Sequence, residues 1–383
     1  MILRGARVAL SPERAERLDV ATAHGSVKTM GRVPGRKGVD CSGYLMLPGL
    51  INAHDHLEFN LFPRLGNGPY ESASAWARDI HNRFRETIQE ALEVPLRERL
   101  VWGGIKNLIS GVTTVCHHNP WNEVFDGRFP VRAVRALGWA HSLEFSADLR
   151  ERYVSCPANR PFIFHAGEAT NGAGKREMHI LAGLGLFAAN SVMVHAVGLD
   201  RESLALARVR GCSVVWCPSS NLFTLGKTLS RSVLKSDLPI ALGTDSALTA
   251  EGDMIDELRV ARQICGMSEA RLYRMTTDAA ARVLRLSHGE GAIQAGGVAD
   301  LLLFRDRGLT PAQTLLSQVP EAALVGGVPQ MVSADLATAW RTSLRQLSRF
   351  HRVTIRGRGT MYLRLKTPPI REGLSLAGRL VAA

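Results

Sequence analysis

No stretch of this 383-residue chain stays apolar for the ~18 to 20 residues that a membrane-spanning helix needs. Apolar runs such as Gly185 to Val197 are interrupted by Asn, His or Gly, so no transmembrane helix is expected. The cysteines are equally uninformative as a framework. Six of them, Cys41, Cys116, Cys156, Cys212, Cys217 and Cys265, are scattered with no CxxC pair, which excludes a small secreted disulfide fold and predicts reduced thiols. The start, Met1-Ile2-Leu3-Arg4-Gly5, has no apolar core followed by a small-residue cleavage site, and a cytoplasmic protein is expected. Fixed-period repeats and low-complexity tracts are also missing. What remains is an ordinary globular composition, 45% hydrophobic and 21% charged, long enough for a large α/β core with a smaller second unit.

The formal net charge is +12, which could suit an anionic partner. The basic residues are mostly Arg and are spread along the whole chain, so a solvated surface is favoured and nucleic-acid binding is not expected. The densest basic stretch, Arg341 to Arg364, lies far in sequence from every catalytic candidate and equally suits a contact within a homo-oligomer.

From residue 47 to 286, short β-rich runs alternate with helix-like segments, the pattern of repeated βα units on a parallel sheet. Strands are expected at Leu45 to His54, Val112 to His117, Val134 to Ser142, Pro161 to His165, Ser191 to His195, Ser213 to Cys217 and Ile240 to Thr244. Helices are expected at Ser74 to Glu93, Arg97 to Ser110, Arg201 to Arg210 and Asp256 to Cys265. The C-terminal strand ends carry His, Cys, Ser, Thr or Asp, and in a closed parallel barrel those ends form the active-site face. Residues 1–46 alternate in short stretches broken by Gly and Pro, and a strand-like Leu301 to Phe304 follows a Gly-rich segment, so residues 1–46 and 287–383 are expected to form one composite β-sandwich beside the barrel.

Pro48-Gly49-Leu50-Ile51-Asn52-Ala53-His54-Asp55-His56 ends an apolar strand with two His two positions apart, and period-2 alternation turns both to one face. Two neutral imidazoles are half a zinc site, although an HxH alone is also common in cores and on surfaces. Phe162-Ile163-Phe164-His165 delivers another His to a strand end, with Glu168 in the turn, and Val192-Met193-Val194-His195 does so again. Ile240-Ala241-Leu242-Gly243-Thr244-Asp245 ends in a carboxylate. Four strand ends with ligand-type residues, in this order, are hard to explain by core packing.

These motifs resemble the amidohydrolase superfamily, and within it the deaminase and chlorohydrolase branch of the cytosine, guanine and S-adenosylhomocysteine deaminase kind. The similarity covers PGLINAHDH, GVTTV, HAGE, VHAVGLD, CPSSNLFTLG, LGTDS and the ADLLLF segment. It implies a (β/α)8 TIM-like barrel in which His54, His56, His165 and Asp245 hold one divalent ion. Zinc is favoured, with iron and manganese open. It further implies hydrolytic deamination of an amino-substituted heterocycle by metal-activated hydroxide. Asp245 would take the proton of water, Glu168 would protonate a ring nitrogen, and His195 would help hold the tetrahedral centre. Two-metal members carry a carboxylated Lys on strand four; no Lys occurs between Lys106 and Lys175, which favours one metal.

Two features of the pattern qualify this expectation. Between Ser142 and His165 there is too little chain for a full helix, strand and helix, so one βα unit is expected to be shortened. A related C–N or C–Cl hydrolase or a cyclic amidase would share the same metal set, and a non-catalytic binding protein on this fold is the alternative of a different class. Ser219, Ser220 and Asn221 after Pro218, and His117 and His118 after the second strand, read equally well as turn or packing residues. The loop from Leu57 to Tyr70 is placed to shape specificity for a small-molecule substrate.

Overall fold

The structure, a computed structural model, describes residues 1–35, 37–340, 350–355, 359–365, 375–376 and 379–382. Residues 341–349 and 356–358 of the basic stretch from Arg341 to Arg364 lie outside the described residues.

The chain opens with β1 (Ile2–Ala9), β2 (Ala15–Ala23), β3 (Ser26–Gly31), β4 (Val39–Asp40) and β5 (Tyr44–Pro48). After the central part of the chain come β14 (Leu301–Arg305), β15 (Ala322–Val325), β16 (Val328–Ser333), β17 (His351–Ile355) and β18 (Gly359–Leu363). One sheet takes strands from both ends, with β5 antiparallel to β14 and parallel to β1. Its core packs Leu3, Val8, Val20, Met46, Leu301, Leu303 and Trp340.

The central part is α/β. Its parallel strands are β6 (Leu50–Asp55), β7 (Val112–His117), β8 (Arg132–Ala133), β9 (Gly138–Trp139), β10 (Phe162–Ala166), β11 (Ser191–His195), β12 (Ser213–Trp216) and β13 (Ile240–Leu242). They form a ladder β6-β7-β8 and a second ladder β9-β10-β11-β12-β13. The two meet where a parallel bridge pairs Asp55 with Asp245. Bulkier side chains of one strand face, Phe162, Phe164, Met193, Val214, Trp216 and Leu242, pack in the cluster that includes the helices. Smaller ones, Ile51, Ala53, Ile163, Val192, Val194, Val215 and Ala241, pack on the other face. The helices that matter for the site are α1 (Ala73–Arg83), α2 (Arg85–Leu92), α3 (Leu96–Ile109), α4 (Leu149–Ser155), α5 (Gly172–Gly183), α6 (Arg201–Arg210), α7 (Pro218–Leu225), α8 (Arg231–Lys235) and α9 (Met254–Cys265). None of the described helices is long and apolar enough to cross a membrane.

Three expectations are corrected. The run Leu45 to His54 is two strands in two sheets, because at Gly49 the backbone leaves the terminal sheet, its N–H donating to Asp300 O, and Leu50 N–H then donates to Gly111 O. The helix expected over Ser74 to Glu93 breaks at Phe84, whose backbone leaves the helical region as its side chain joins Phe62, Leu65, Ile80 and Leu248. The strand expected over Val134 to Ser142 shrinks to β9, bonded to β10; residues 134–137 are a helix-free link from β8, which ends just before that range and is bonded to β7.

A Cβ at Gly49 would overlap Thr113 Oγ1, so only glycine lets β5 pass so close to β7. Gly49→Ala is therefore expected to destabilise the fold by about 1–3 kcal/mol. Urea unfolding should show a lower midpoint at unchanged m value; an unaltered midpoint would mean that Thr113 moves aside without cost.

Candidate metal centre

Every residue expected at the site comes from the C-terminal end of a parallel strand, and the structure brings all of them together. His54, His56, His165, His195 and Asp245 are each buried. His165 Nε2 lies 3.3 Å from both His54 Nε2 and His56 Nε2. Asp245 Oδ1 lies 3.4 Å from His54 Nε2 and 3.7 Å from His56 Nε2. A tetrahedral zinc bonded to N and O at about 2.0–2.2 Å keeps its ligand atoms roughly 3.3–3.6 Å apart. The donor set and its spacing therefore fit a single ion of this kind.

Ring tautomers follow from the outer hydrogen bonds. His165 Nδ1 lies 2.8 Å from the His141 carbonyl, which can only accept, so Nδ1 carries the proton and the Nε2 lone pair faces the cluster. His195 has the opposite assignment. Trp216 Nε1 donates to Thr228 Oγ1, Thr228 in turn donates to Asn221 Oδ1, and Asn221 Nδ2 then donates to His195 Nδ1 at 3.0 Å. The His195 proton is left on Nε2, 3.7 Å from Glu168 Oε2, and His195 also belongs, with His54, His165 and Asp245, to a group whose ligand-type atoms lie within 4.8 Å of one another. Burial keeps His56, His165 and His195 below the usual imidazole range, His195 at about 4, so all three are neutral.

Asp245 is anchored through its second oxygen, Oδ2, which accepts from Ser220 Oγ at 2.5 Å and Thr249 Oγ1 at 2.8 Å. Burial pulls its pKa up, but His54, His195 and His56 outweigh that and hold it well below the carboxylate range. Glu168 goes the other way: burial first, then the charges of Asp245 and Glu177, push its carboxyl well above the ordinary value, which favours the protonated form. Of the five described non-glycine residues in the left-handed backbone region, three belong to the site: His195 at φ 67°, Ala196 at 51° and Asp245 at 60°. Such strain, at about 1–3 kcal/mol each, persists only where the surroundings impose it. At Gly243 a Cβ would come within 2.8 Å of the His54 Cβ, so the β13 end must be bare to reach β6.

Beneath the imidazoles lies a polar knot. Asp55 is fully buried, and Oδ1 accepts from Asn60 Nδ2 at 2.6 Å while Oδ2 accepts from Asn107 Nδ2 at 2.7 Å, Asn52 Nδ2 at 3.1 Å and Thr244 Oγ1 at 3.1 Å. Lys106 Nζ donates to Asn60 Oδ1 at 2.6 Å. The knot ties β6 to α3 and to the end of β13.

Sequence reasoning left some contributors undecided and missed another. Ser220 and Asn221 hold Asp245 and His195; their signal was the Pro at the first turn of α7, which aims the following polar side chains back at the strand ends. His118 is buried, with Nε2 2.8 Å from the Ala140 carbonyl and Nδ1 3.1 Å from His54 Nδ1. His141, its ring centroid 4.6 Å from that of His165, stands at the C-terminal end of the strand expected over Val134 to Ser142 but was not singled out there. His117 instead accepts from Leu57 N–H at 3.4 Å. A separate cavity of about 450 Å³, lined by His24, Arg132, His288 and Gln294 among others, shares no residue with the cluster.

A model of the Amidohydrolase family matches residues 158–334. The 5-methylthioadenosine/S-adenosylhomocysteine deaminase of Halobacterium salinarum is 25% identical over 363 residues, covering 78% of this chain and 82% of that protein. The enzyme of the same name from Pyrococcus furiosus is 26% identical over 360 residues, covering 76% and 83%. Among solved structures, an adenosine deaminase from Xanthomonas campestris with bound zinc matches at TM-score 0.64 and 20% identity, over 90% of this chain and 98% of that one. Atrazine chlorohydrolase from Arthrobacter aurescens, complexed with zinc, matches at TM-score 0.71 and 18% identity, over 89% and 98%. The resemblance to amidohydrolases of the deaminase and chlorohydrolase branch holds, and the fold is of the TIM-barrel α/β type.

The Glu177 carboxylate behind Glu168 accepts from Gly167 N–H at 3.1 Å, and burial lifts its pKa from 4.5 to about 7. The folded state thus binds this proton more tightly than the unfolded chain does. Its contribution is most favourable below pH 4.5 and is lost as pH rises through 7. Glu177→Gln keeps the acceptor and removes the charge, so it should stabilise the protein at pH 8, on the order of 1–3 kcal/mol, with a smaller gain at pH 5. Thermal unfolding at both pH values tests this; an equal effect at the two would refute the shifted titration.

Proposed function

We propose that this protein is a metal-dependent aminohydrolase that deaminates an amino-substituted heterocycle with one divalent ion, zinc by preference. His54, His56, His165 and Asp245 are its ligands in this reading. The observation that carries it is the convergence of three Nε2 atoms and Asp245 Oδ1 at 3.3–3.7 Å. A bound divalent ion supplies Lewis acidity and lowers the pKa of water from 15.7 to about 7.

The chain's own residues do the rest. Asp245, fixed by Ser220 and Thr249, is ionised and can accept a proton from water at the centre. Glu168, whose protonated form burial favours, can pass a proton to a ring nitrogen, which makes the adjacent carbon electrophilic toward the water oxygen; the C–N bond then breaks as the proton taken up by Asp245 passes to the amino group, which leaves as ammonia. His195, with its proton on Nε2, faces Glu168 and donates to oxygen as charge develops there. The adenine-type substrates in the relatives' names are the first to assay. Expulsion of chloride or an alkylamine uses the same groups and is the second reading, favoured by the structural likeness to a chlorohydrolase.

The same reading takes residues 47–286 as the catalytic barrel and residues 1–46 with 287–383 as a composite β-unit. The barrel would close between β6 and β13 and cross from β8 to β9 without a helix, which is the shortened βα unit. A small diffusible substrate and a cytoplasmic location go with it.

Ammonia release from 5-methylthioadenosine, S-adenosylhomocysteine, adenosine and amino- or chloro-triazines is the direct assay. Amine or chloride release without ammonia would overturn deamination. Glu168→Gln should lower kcat about 10²–10⁴-fold while the metal stays bound. His54→Ala should lose both metal and the thermal stabilisation that metal gives; protein purified without chelator and free of stoichiometric Zn, Fe or Mn would refute the metal site.

A further inference from the structure

The outer nitrogens of the three imidazoles are held unequally. His165 Nδ1 is tied to a backbone carbonyl, and His56 Nδ1 has no hydrogen-bond partner among the described residues. His54 is tied to another ring. His118 is 1% exposed and has two polar contacts: Nε2 lies 2.8 Å from Ala140 O, and Nδ1 lies 3.1 Å from His54 Nδ1. A carbonyl only accepts, so Nε2 of a neutral His118 bears the proton and Nδ1 is a lone pair. The contact with His54 is a hydrogen bond only if His54 Nδ1 donates. His54 Nε2 is then unprotonated and aimed at the cluster.

We infer that His118 is a positioning residue that fixes the tautomer and ring orientation of His54 and thereby sets the metal affinity of the site. The inference rests on the metal reading above. Its anchor is the segment after β9, where two consecutive carbonyls, Ala140 and His141, receive His118 Nε2–H and His165 Nδ1–H. That segment is itself pinned to β10, Ala140 N–H donating to Ile163 O at 3.1 Å and His165 N–H to His141 O at 2.8 Å. The backbone just after β9 thus orients two imidazoles, one directly and one through His118. Outer partners of metal-bound histidines typically contribute 10–100-fold to metal affinity.

The test compares His118→Asn with His118→Gln in the full chain. The Asn amide oxygen falls near Nδ1 and can still accept from His54; the Gln amide falls near Nε2 and can reach Ala140 alone. Zinc affinity by chelator competition and the visible spectrum of the cobalt-loaded protein are read beside thermal unfolding of the metal-free forms. The expected result is a 10–100-fold weaker zinc affinity and an altered cobalt spectrum for the Gln variant, with Asn recovering most of both. Two variants that bind like the wild type overturn the inference, as do two equally weakened variants whose metal-free forms have lost the same stability, which is the mark of packing alone. If the unaltered chain binds no zinc, it is the metal reading that fails.

Discussion

Imidazole nitrogens that bring lone pairs to within 3.3 Å of one another, beside a carboxylate, repel unless a cation sits among them, and much of the architecture is bent to keep them there. Each ring must be neutral, and each must have its proton on the side away from the centre. Burial secures the first condition for His56 and His165. Backbone carbonyls and one further imidazole secure the second for His165 and His54, because an acceptor that cannot donate leaves one tautomer only. The positive φ of Asp245 belongs to the same constraint, since an extended strand end would turn its carboxylate away from β6.

The fully buried Asp55 carboxylate is the second fixed point. An ionised carboxyl in such a place is sustained only by donors and opposite charge, and here burial pushes its pKa up against Lys106, Asn107, Asn60 and Thr244. Because these donors come from β6, α3 and the end of β13, satisfying one charge registers three elements. His54 and His56 flank Asp55, so the register of the knot is the register of the ligands. The knot also accounts for a lysine in the middle of α3 that is 1% exposed.

The proposed ligands were legible because coordination chemistry narrows the residue types and a parallel sheet narrows the places. His, His, His and Asp at the C-terminal ends of β6, β10 and β13 are few enough to recognise in a linear chain. The break at Gly49 was passed over despite the Pro48-Gly49 turn signal, since apolar residues continue on both sides and a switch between sheets needs only one residue without a Cβ. The shrinkage of the strand over Val134 to Ser142 to the two residues of β9 was hidden for a related reason: an extended run looks the same whether it pairs along its length or only at a few residues. The left-handed turns at His195, Ala196 and Asp245 could not be read, because only the fold imposes them on residues that ordinarily avoid that region. The carbonyls of Ala140 and His141 left no trace either, as every residue has one.

That last point bears on how a missing helix between β8 and β9 is compatible with a complete ligand set. None of the proposed ligands comes from β8 or β9, so shortening this stretch removes no donor. What it must still provide is a rigid acceptor edge beside His118 and His165, and an extended backbone bonded to β10 provides it regardless of side chain. At Ala140 the bond to His118 uses only the backbone carbonyl, though the buried methyl leaves room for little else, whereas at His118 the ring itself carries both bonds. The division is physical: a backbone acceptor is set by the path of the chain, and an imidazole acceptor by its identity.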